Sequence, residues 1–223
     1  MERVIKPEWL DALPADNPRA QRSRADLRRL NGFMNNAGIV AHALNGIPNP
    51  KRVMDVGAGD GTFALRLAEK CKWRGTEFLL VDRLAEVSST TRDRFHALNC
   101  GLELKQCDAL AGLDQIGNVD VAVVNLFLHH FAEAELKPLL ADIASRCEIF
   151  VASEPRRSPL ALLASQCVGL IGCNAVTRHD AVISVRAGFA NDELSRLWPA
   201  ASEWQLSEAP AGLFSHLFVA QRR

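Results

Sequence analysis

The 223-residue sequence predicts an α/β fold: a doubly wound, mostly parallel seven-stranded sheet whose last strand runs antiparallel. Three observations predict it. From Lys51 onward, short apolar runs alternate with amphipathic helical stretches, the pattern of strands joined by right-handed crossovers. The run from Val119 to Leu126 is nearly continuous in its apolar character, as in a central strand covered on both faces. The chain then closes on two extended segments, Trp204 to Glu208 and Leu213 to Gln221, with a turn at Pro210-Ala211-Gly212. A terminal hairpin after five crossover strands fits an antiparallel last strand.

Residues 1–50 read as an N-terminal helical flap. The stretch up to Pro18 is rich in proline and acidic residues, with Trp9 and Leu10 as isolated apolar anchors. Ser23-Arg24-Ala25-Asp26 has the form of a capping box, and Leu27, Leu30 and Met34 supply an apolar stripe that continues toward Ala41 and Leu44. Gly46, Pro48 and Pro50 stop it. Residues 51–223 form the main domain. Its strands are expected at Arg52 to Val56, Glu77 to Val81, Leu102 to Cys107, Val119 to Leu126 and Glu148 to Ser153. Helices are expected at Thr62 to Lys70, Leu84 to Leu98 and Glu133 to Ser145. Residues 156–190 interrupt this rhythm and read as a cap insertion, with an apolar helix from Ser158 to Gly172 and an extended piece from Asp180 to Arg186. Asn191-Asp192 can cap a further helix through Trp198.

Twenty-six basic residues balance twenty-six acidic ones, so the chain lacks the basic footprint of a protein that lives on nucleic acid. Six cysteines show no C-x-x-C pair and no histidine at zinc spacing, which favours reduced thiols and a cytoplasmic protein. No apolar run reaches membrane-spanning length, and the N-terminus has no apolar signal core.

The strongest motif is Val53-Met54-Asp55-Val56-Gly57-Ala58-Gly59-Asp60-Gly61-Thr62, set between a strand and a helix. A dinucleotide fingerprint requires glycine where Thr62 stands, and Asp55 and Asp60 would repel a pyrophosphate. A cationic sulfonium ligand carrying an ammonium group tolerates those carboxylates. Asp82, with Arg83 beside it, ends the second strand, where an acidic side chain can accept from both ribose hydroxyls. Asp108 and Ala109 follow the third strand, and Asn125 ends the fourth. Four features in register at successive strand ends are more specific than a lone glycine loop.

This combination resembles the class I S-adenosylmethionine-dependent methyltransferases, over about residues 51–155 and the terminal hairpin. The resemblance implies a Rossmann-like sheet and S-adenosyl-L-methionine as cofactor, with S-adenosyl-L-homocysteine as product. It implies that Asp55, Gly57, Gly59 and Gly61 line the methionine portion, Asp82 holds the ribose, and Asp108 and Ala109 flank the adenine. Leu126-Phe127-Leu128-His129-His130-Phe131 is similar to the segment after the fourth strand in the ubiquinone-biosynthesis-like small-molecule branch. Glu154-Pro155-Arg156-Arg157-Ser158, with Asn174 to Phe189, is similar to bacterial members associated with type III polyketide pathways.

Transfer of an activated methyl needs alignment and, for a hydroxyl acceptor, a base. Histidine is the natural base near neutral pH, and the chain has no tyrosine. His129 and His179 are the candidate catalytic residues, with Asp180 adjacent to His179 and Glu154 expected near it. His42, His96 and His216 read as surface residues. Arg156, Arg157, Arg178 and Arg186 gather on the cap, to steer an anionic acceptor or to form a solvated face paired with Glu154 and Asp180. Arginines 19, 22, 24, 28 and 29 read as a wet helix face. Metal-assisted catechol methylation would want an aspartate where Asn125 stands, so no metal is expected. The apolar helix after Ser158 is expected to be a buried cap over an apolar pocket, with core packing and a dimer contact as alternatives.

These readings converge on O-methylation of a phenolic or polyketide-like small molecule by a monomer or homodimer without a membrane span. C-methylation of a quinone-like ring, methylation of RNA or protein, and a non-catalytic S-adenosylmethionine-binding module are the competing readings. Asn125-Leu126-Phe127-Leu128 lacks the proline pair of adenine N6 chemistry, which weighs against nucleic acid.

Overall fold

Asn17 starts the first helix: its side-chain oxygen accepts from the Arg19 amide at 2.9 Å, and Pro18 takes the first helical position, where no N–H is needed. The computed structural model describes every residue except Ala15 and Ala85. Helix α1 (Pro18–Met34) therefore begins before the expected capping box, and Ser23 and Asp26 lie within it on its buried face. Both side chains reach another helix instead of their own backbone. Ser23 Oγ lies 2.9 Å from Thr177 Oγ1, and Asp26 accepts from the Asn174 amide at 2.8 Å. Leu27, Leu30 and Met34, the expected apolar stripe, are only half-buried. Asn35, at φ 54°, ends α1 and leads into α2 (Asn36–Ala43).

The alternating region contains β1 (Arg52–Val56), α3 (Thr62–Cys71), β2 (Glu77–Asp82), α4 (Ser89–Ala97) and β3 (Gly101–Gln106). It continues through β4 (Val119–Asn125), α5 (Glu133–Ala144) and β5 (Cys147–Pro155). Helix α4 starts later than the expected Leu84, because Ser88 caps it by accepting from the Thr91 amide at 3.1 Å; Ala85 lies outside the described residues. Then come α6 (Pro159–Cys167), α7 (Ala175–Ala187), α8 (Glu193–Leu197), β6 (Trp204–Ala211) and β7 (Ser215–Arg222).

Two expectations in the cap are corrected. Asp180 to Arg186 is helical, inside α7. The β-branched Val182, Ile183 and Val185 suggest a strand, but the Asn174 cap on Thr177 and packing against α1 and α6 prevail. The expected buried helix from Ser158 to Gly172 divides into α6 and a 3-10 segment, Val168–Ile171. Leu160, Leu163, Leu170 and Ile171 on it are exposed. The hairpin turn also moves, to residues 212–214.

The sheet order is β3-β2-β1-β4-β5-β7-β6, with the first five strands parallel and β7 antiparallel to both neighbours. Alternating residues feed two cores. Met54, Val124, Leu140, Phe150, Trp198 and Phe218 lie on one side, and Val53, Val121, Leu65, Phe78 and Phe95 on the other. Each such side chain contributes roughly 1.5–3 kcal/mol on burial. The strand order reverses between β1 and β4, and ligands of open α/β sheets bind in the crevice at such a reversal. No helix among the described residues is long and apolar enough to cross a membrane.

Candidate active site

The loop after β1 is held by the sheet itself. The Gly57 and Ala58 amides both donate to Val81 O, at 2.8 and 3.2 Å, and the Gly59 amide donates to Asp82 Oδ2 at 2.9 Å. Gly57 sits at φ +77°, and a Cβ there would lie 2.3 Å from the Phe127 ring, so both backbone and space require glycine. At Gly59 the space beyond a built Cβ is open. Asp82 Oδ1 accepts from the Leu84 amide at 2.8 Å, so this carboxylate shapes the loop while retaining lone pairs. Arg83 is exposed beside it. Asp108 is exposed and accepts from the Leu110 amide at 2.9 Å; Ala109 is buried.

A row of buried polar atoms crosses the C-terminal ends of the central strands. Asp55, Asn125 and Ser153 share the side of the sheet covered by α2 and α3, as the alternation with Val53, Val123 and Val151 requires. Among the described residues, neither oxygen of Asp55 has a hydrogen-bond partner, and Asn125 Oδ1, Ser153 Oγ and Asn36 Nδ2 have none either. Asn36 Oδ1 accepts from Ser215 Oγ at 2.7 Å. Burial, reinforced by the charge of Asp82, raises the Asp55 pKa to about 8. Buried polar groups are normally bonded, so this row has the character of a ligand-binding surface.

On the opposite side of β5, Glu154 is fully buried and organises the turn after β4. Its Oε1 accepts from the Phe127 and Leu128 amides at 3.0 and 2.8 Å, and its Oε2 lies 2.8 Å from His129 Nδ1. Leu126, at φ 54°, makes the sharp exit from β4 that brings these amides onto the carboxylate. The other ring nitrogen, Nε2 of His129, lies 3.6 Å from Glu8 Oε1. Burial alone would drive the proton off His129. Hydrogen bonds and charge from Glu154 and Glu8 outweigh it and raise the pKa to about 9. His130 moves the other way, lowered by burial and by the neighbouring His129.

Glu8 belongs to an N-terminal strap that crosses α7 and the turn after β4. Arg3 donates to Ala187 O at 2.8 Å and Phe131 O at 3.0 Å, and its guanidinium covers the Phe189 ring. The Trp9 and Leu10 amides donate to the two oxygens of Asp180 at 2.8 and 3.0 Å. The Trp9 ring stacks on His179 with centroids 3.8 Å apart, and His179 Nδ1 lies 2.9 Å from Asp180. Between strap and α7 a cavity of about 290 Å³ is lined by Val4, Lys6, His179, Val182, Ile183 and Arg186.

Both expected catalytic histidines thus lie under one strap. Glu154 binds His129, not His179 as expected. One arginine departs from expectation, since buried Arg157 pairs with Glu193 at 2.5 Å, whereas Arg22 and Arg29 on α1 stay exposed while reaching the buried Asp26. His216 is not a surface residue; it is buried, with Nε2 2.8 Å from Glu208, because β7 is covered on both sides. Glu8, Asn36 and Ser153 join the candidate site without being expected from the sequence. A polar Ser153-Glu154 pair ending an apolar strand is a signal that could have found one of them. Glu8 and Asn36 carry no local signal.

The strand order, the glycine loop after β1 and the acidic residues after β2 and β3 define the class I methyltransferase fold. Within it, residues 53–148 match the family described as the methyltransferase domain. No curated protein sequence matches the chain. Among solved structures, an O-methyltransferase family protein from Burkholderia thailandensis superposes with a TM-score of 0.61 at 18% identity, covering 93% of this chain and 61% of its own. Human N-acetylserotonin methyltransferase, in complex with S-adenosylmethionine, gives 0.62 at 14% identity over 95% of this chain and 61% of its own. The plantazolicin methyltransferase BpumL, in complex with a desmethyl analogue and S-adenosylhomocysteine, gives 0.66 at 12% identity. That match covers 94% of this chain and 93% of BpumL, whereas the chain spans only about three fifths of the length of the other two.

Proposed function

We propose that the protein transfers the methyl group of S-adenosylmethionine to an oxygen of a small-molecule acceptor. The observation that carries this reading is the unpartnered, fully buried Asp55 carboxylate at the foot of a glycine loop. An ammonium group would draw the proton off this carboxyl and be held by the carboxylate, whereas a dinucleotide phosphate would gain nothing from its ionisation. Gly57, Gly59 and Gly61 would lie along the methionine portion, Asn125 would offer its free Oδ1, Asp82 with Arg83 would face the ribose, and Asp108 with Ala109 the adenine. The cofactor supplies an activated methyl and needs no metal for its transfer. BpumL and the human enzyme, crystallised with the product or the cofactor on the same fold, support the choice.

The chain's own part is to position the acceptor and take its proton. His129, fixed through Nδ1 by Glu154, presents Nε2 toward the strap. While Glu8 stands opposite, the proton stays on His129. When the strap's carboxylate gives way to an acceptor, one of the two groups holding that proton is gone, and the imidazole becomes a competent base. His179, under the Trp9 ring, contributes to the acceptor side. Six free cysteines support residence in the reducing cytoplasm.

Calorimetry and methyl-transfer assays test the two halves. Gly59→Arg fills the open space over the loop and abolishes S-adenosylhomocysteine binding; unchanged affinity would remove the cofactor assignment. His129→Ala lowers turnover of a phenolic acceptor by about 10²–10⁴-fold while leaving cofactor affinity intact. A variant that keeps wild-type turnover would strip His129 of its role.

A further inference from the structure

Glu8, His129 and His130 bring three ligand atoms within 4.8 Å of one another, and they do so across the gap between the strap and the turn after β4. The set is one carboxylate and two imidazoles, the donors of three-ligand zinc sites. Its geometry has the further feature such sites share. His129 Nδ1 is engaged by the buried Glu154 at 2.8 Å, so a carboxylate orients the ring and leaves Nε2 pointing at Glu8, 3.6 Å away. Asp11 Oδ2, half exposed, lies 3.9 Å from His130 Nδ1 but outside the three-atom cluster, so the fourth position is left to water.

Ligand atoms around a tetrahedral zinc ion with bonds of about 2.0–2.1 Å stand roughly 3.3 Å apart. Glu8 and His129 are already near that spacing. The remaining contraction falls on His130 and the strap, a half-exposed ring and a surface segment, not on the buried core. No cysteine belongs to the set, so the donors are nitrogen and oxygen only.

We propose that Glu8, His129 and His130 form a zinc site that clamps the strap onto the turn after β4 and, by occupying His129 Nε2, reversibly silences methyl transfer. Binding stands on the geometry alone; the silencing rests on His129 acting as the base. Zinc is bound in place of a proton on His129, and two carboxylates, Glu8 and Glu154, offset its charge. Chelation releases it and frees the imidazole.

The test uses zinc chloride and the full chain, in a Cys167→Ser background so that the exposed thiol does not compete. Calorimetry is expected to give one zinc per chain, and Glu8→Gln to weaken binding at least tenfold. X-ray absorption is expected to show only nitrogen and oxygen neighbours at about 2.0–2.1 Å. No saturable binding, sulfur neighbours near 2.3 Å, or equal affinity in Glu8→Gln would each overturn the site. Neither readout needs a methyl donor, so the site can fail while the methyltransferase reading stands. Where zinc binds but turnover is unaffected, the clamp stands as a site and the silencing is refuted.

Discussion

Asp55 is a buried carboxylate without a partner among the described residues, and its pKa of about 8 in the folded protein lies above the ordinary value of 3.8. Between those limits the fold holds a proton that the unfolded chain releases, so ionisation works against folding as pH rises. A bound ammonium group reverses this by favouring the carboxylate. Affinity for S-adenosylmethionine is therefore expected to rise from about pH 5 to about pH 7.5, with proton release, and to lose that slope in Asp55→Asn. The same variant, freed of a buried charge, is expected to melt higher without ligand above pH 8, by about 1 kcal/mol of stability. Calorimetry in two buffers and thermal melts check both; a flat wild-type profile would contradict the assignment. Asp55 was legible in the sequence because its signal is contiguous, a carboxylate four residues ahead of Gly59 in one strand–loop unit. Glu8 was not, because its partners His129 and Ser184 lie on distant segments that only the folded chain brings to it. His216 was misread for a related reason: the residue itself does not reveal that its strand is inserted between β5 and β6.

The strap is an element whose docking depends on pH. The raised pKa of His129 means that the folded state retains a proton the unfolded chain would lose above its ordinary value of 6.5. The contribution of the Glu8–His129–Glu154 contact is full below that value and is lost as pH rises through about 9. Strap docking, read by amide exchange at Trp9 and Leu10, is expected to weaken over that window, and unchanged protection would exclude the contact as its anchor. At the end of α7, Gly188 presses against the neighbouring backbone, where a Cβ would come within 2.1 Å of Pro155 O. Gly188→Ala is expected to destabilise the protein by about 1–3 kcal/mol by denaturant melting, through forced separation of α7 from β5. Most strands and crossover helices were legible because burial on a sheet imposes period two, and on a helix period 3.6. The cap was not. Its β-branched run in α7 has strand character locally, and the Asn174 cap, packing on α6 and the contacts of Ser23 and Asp26 with Thr177 and Asn174 fix it as a helix.

At the scale of the molecule, β7 joins both sides of the sheet to the C-terminal hairpin. Phe218 and Ala220 complete the core around Phe150, Trp198 and Trp204, and Leu217 and Val219 pack on the other side. A chain ending at Glu203 would leave β5 with an open edge and strip Phe218 and Trp204 from the core around Phe150. It is expected to lose cooperative melting altogether, as calorimetry would reveal; a sharp transition near the parent's would show the first five strands folding alone. The terminal hairpin was legible from the two closing runs, but its insertion order was not, since pairing of β5 with β7 is a property of the whole sheet. The four tryptophans are unevenly distributed across this architecture. Trp73, Trp198 and Trp204 are buried, while Trp9 is 47% exposed and rests on the His179 imidazole. Fluorescence from the three interior indoles is a constant background, and emission from the fourth depends on contact with the ring beneath it. The chain thus carries its own optical gauge, and the intensity of a single indole reports how much of the population has its strap docked on α7.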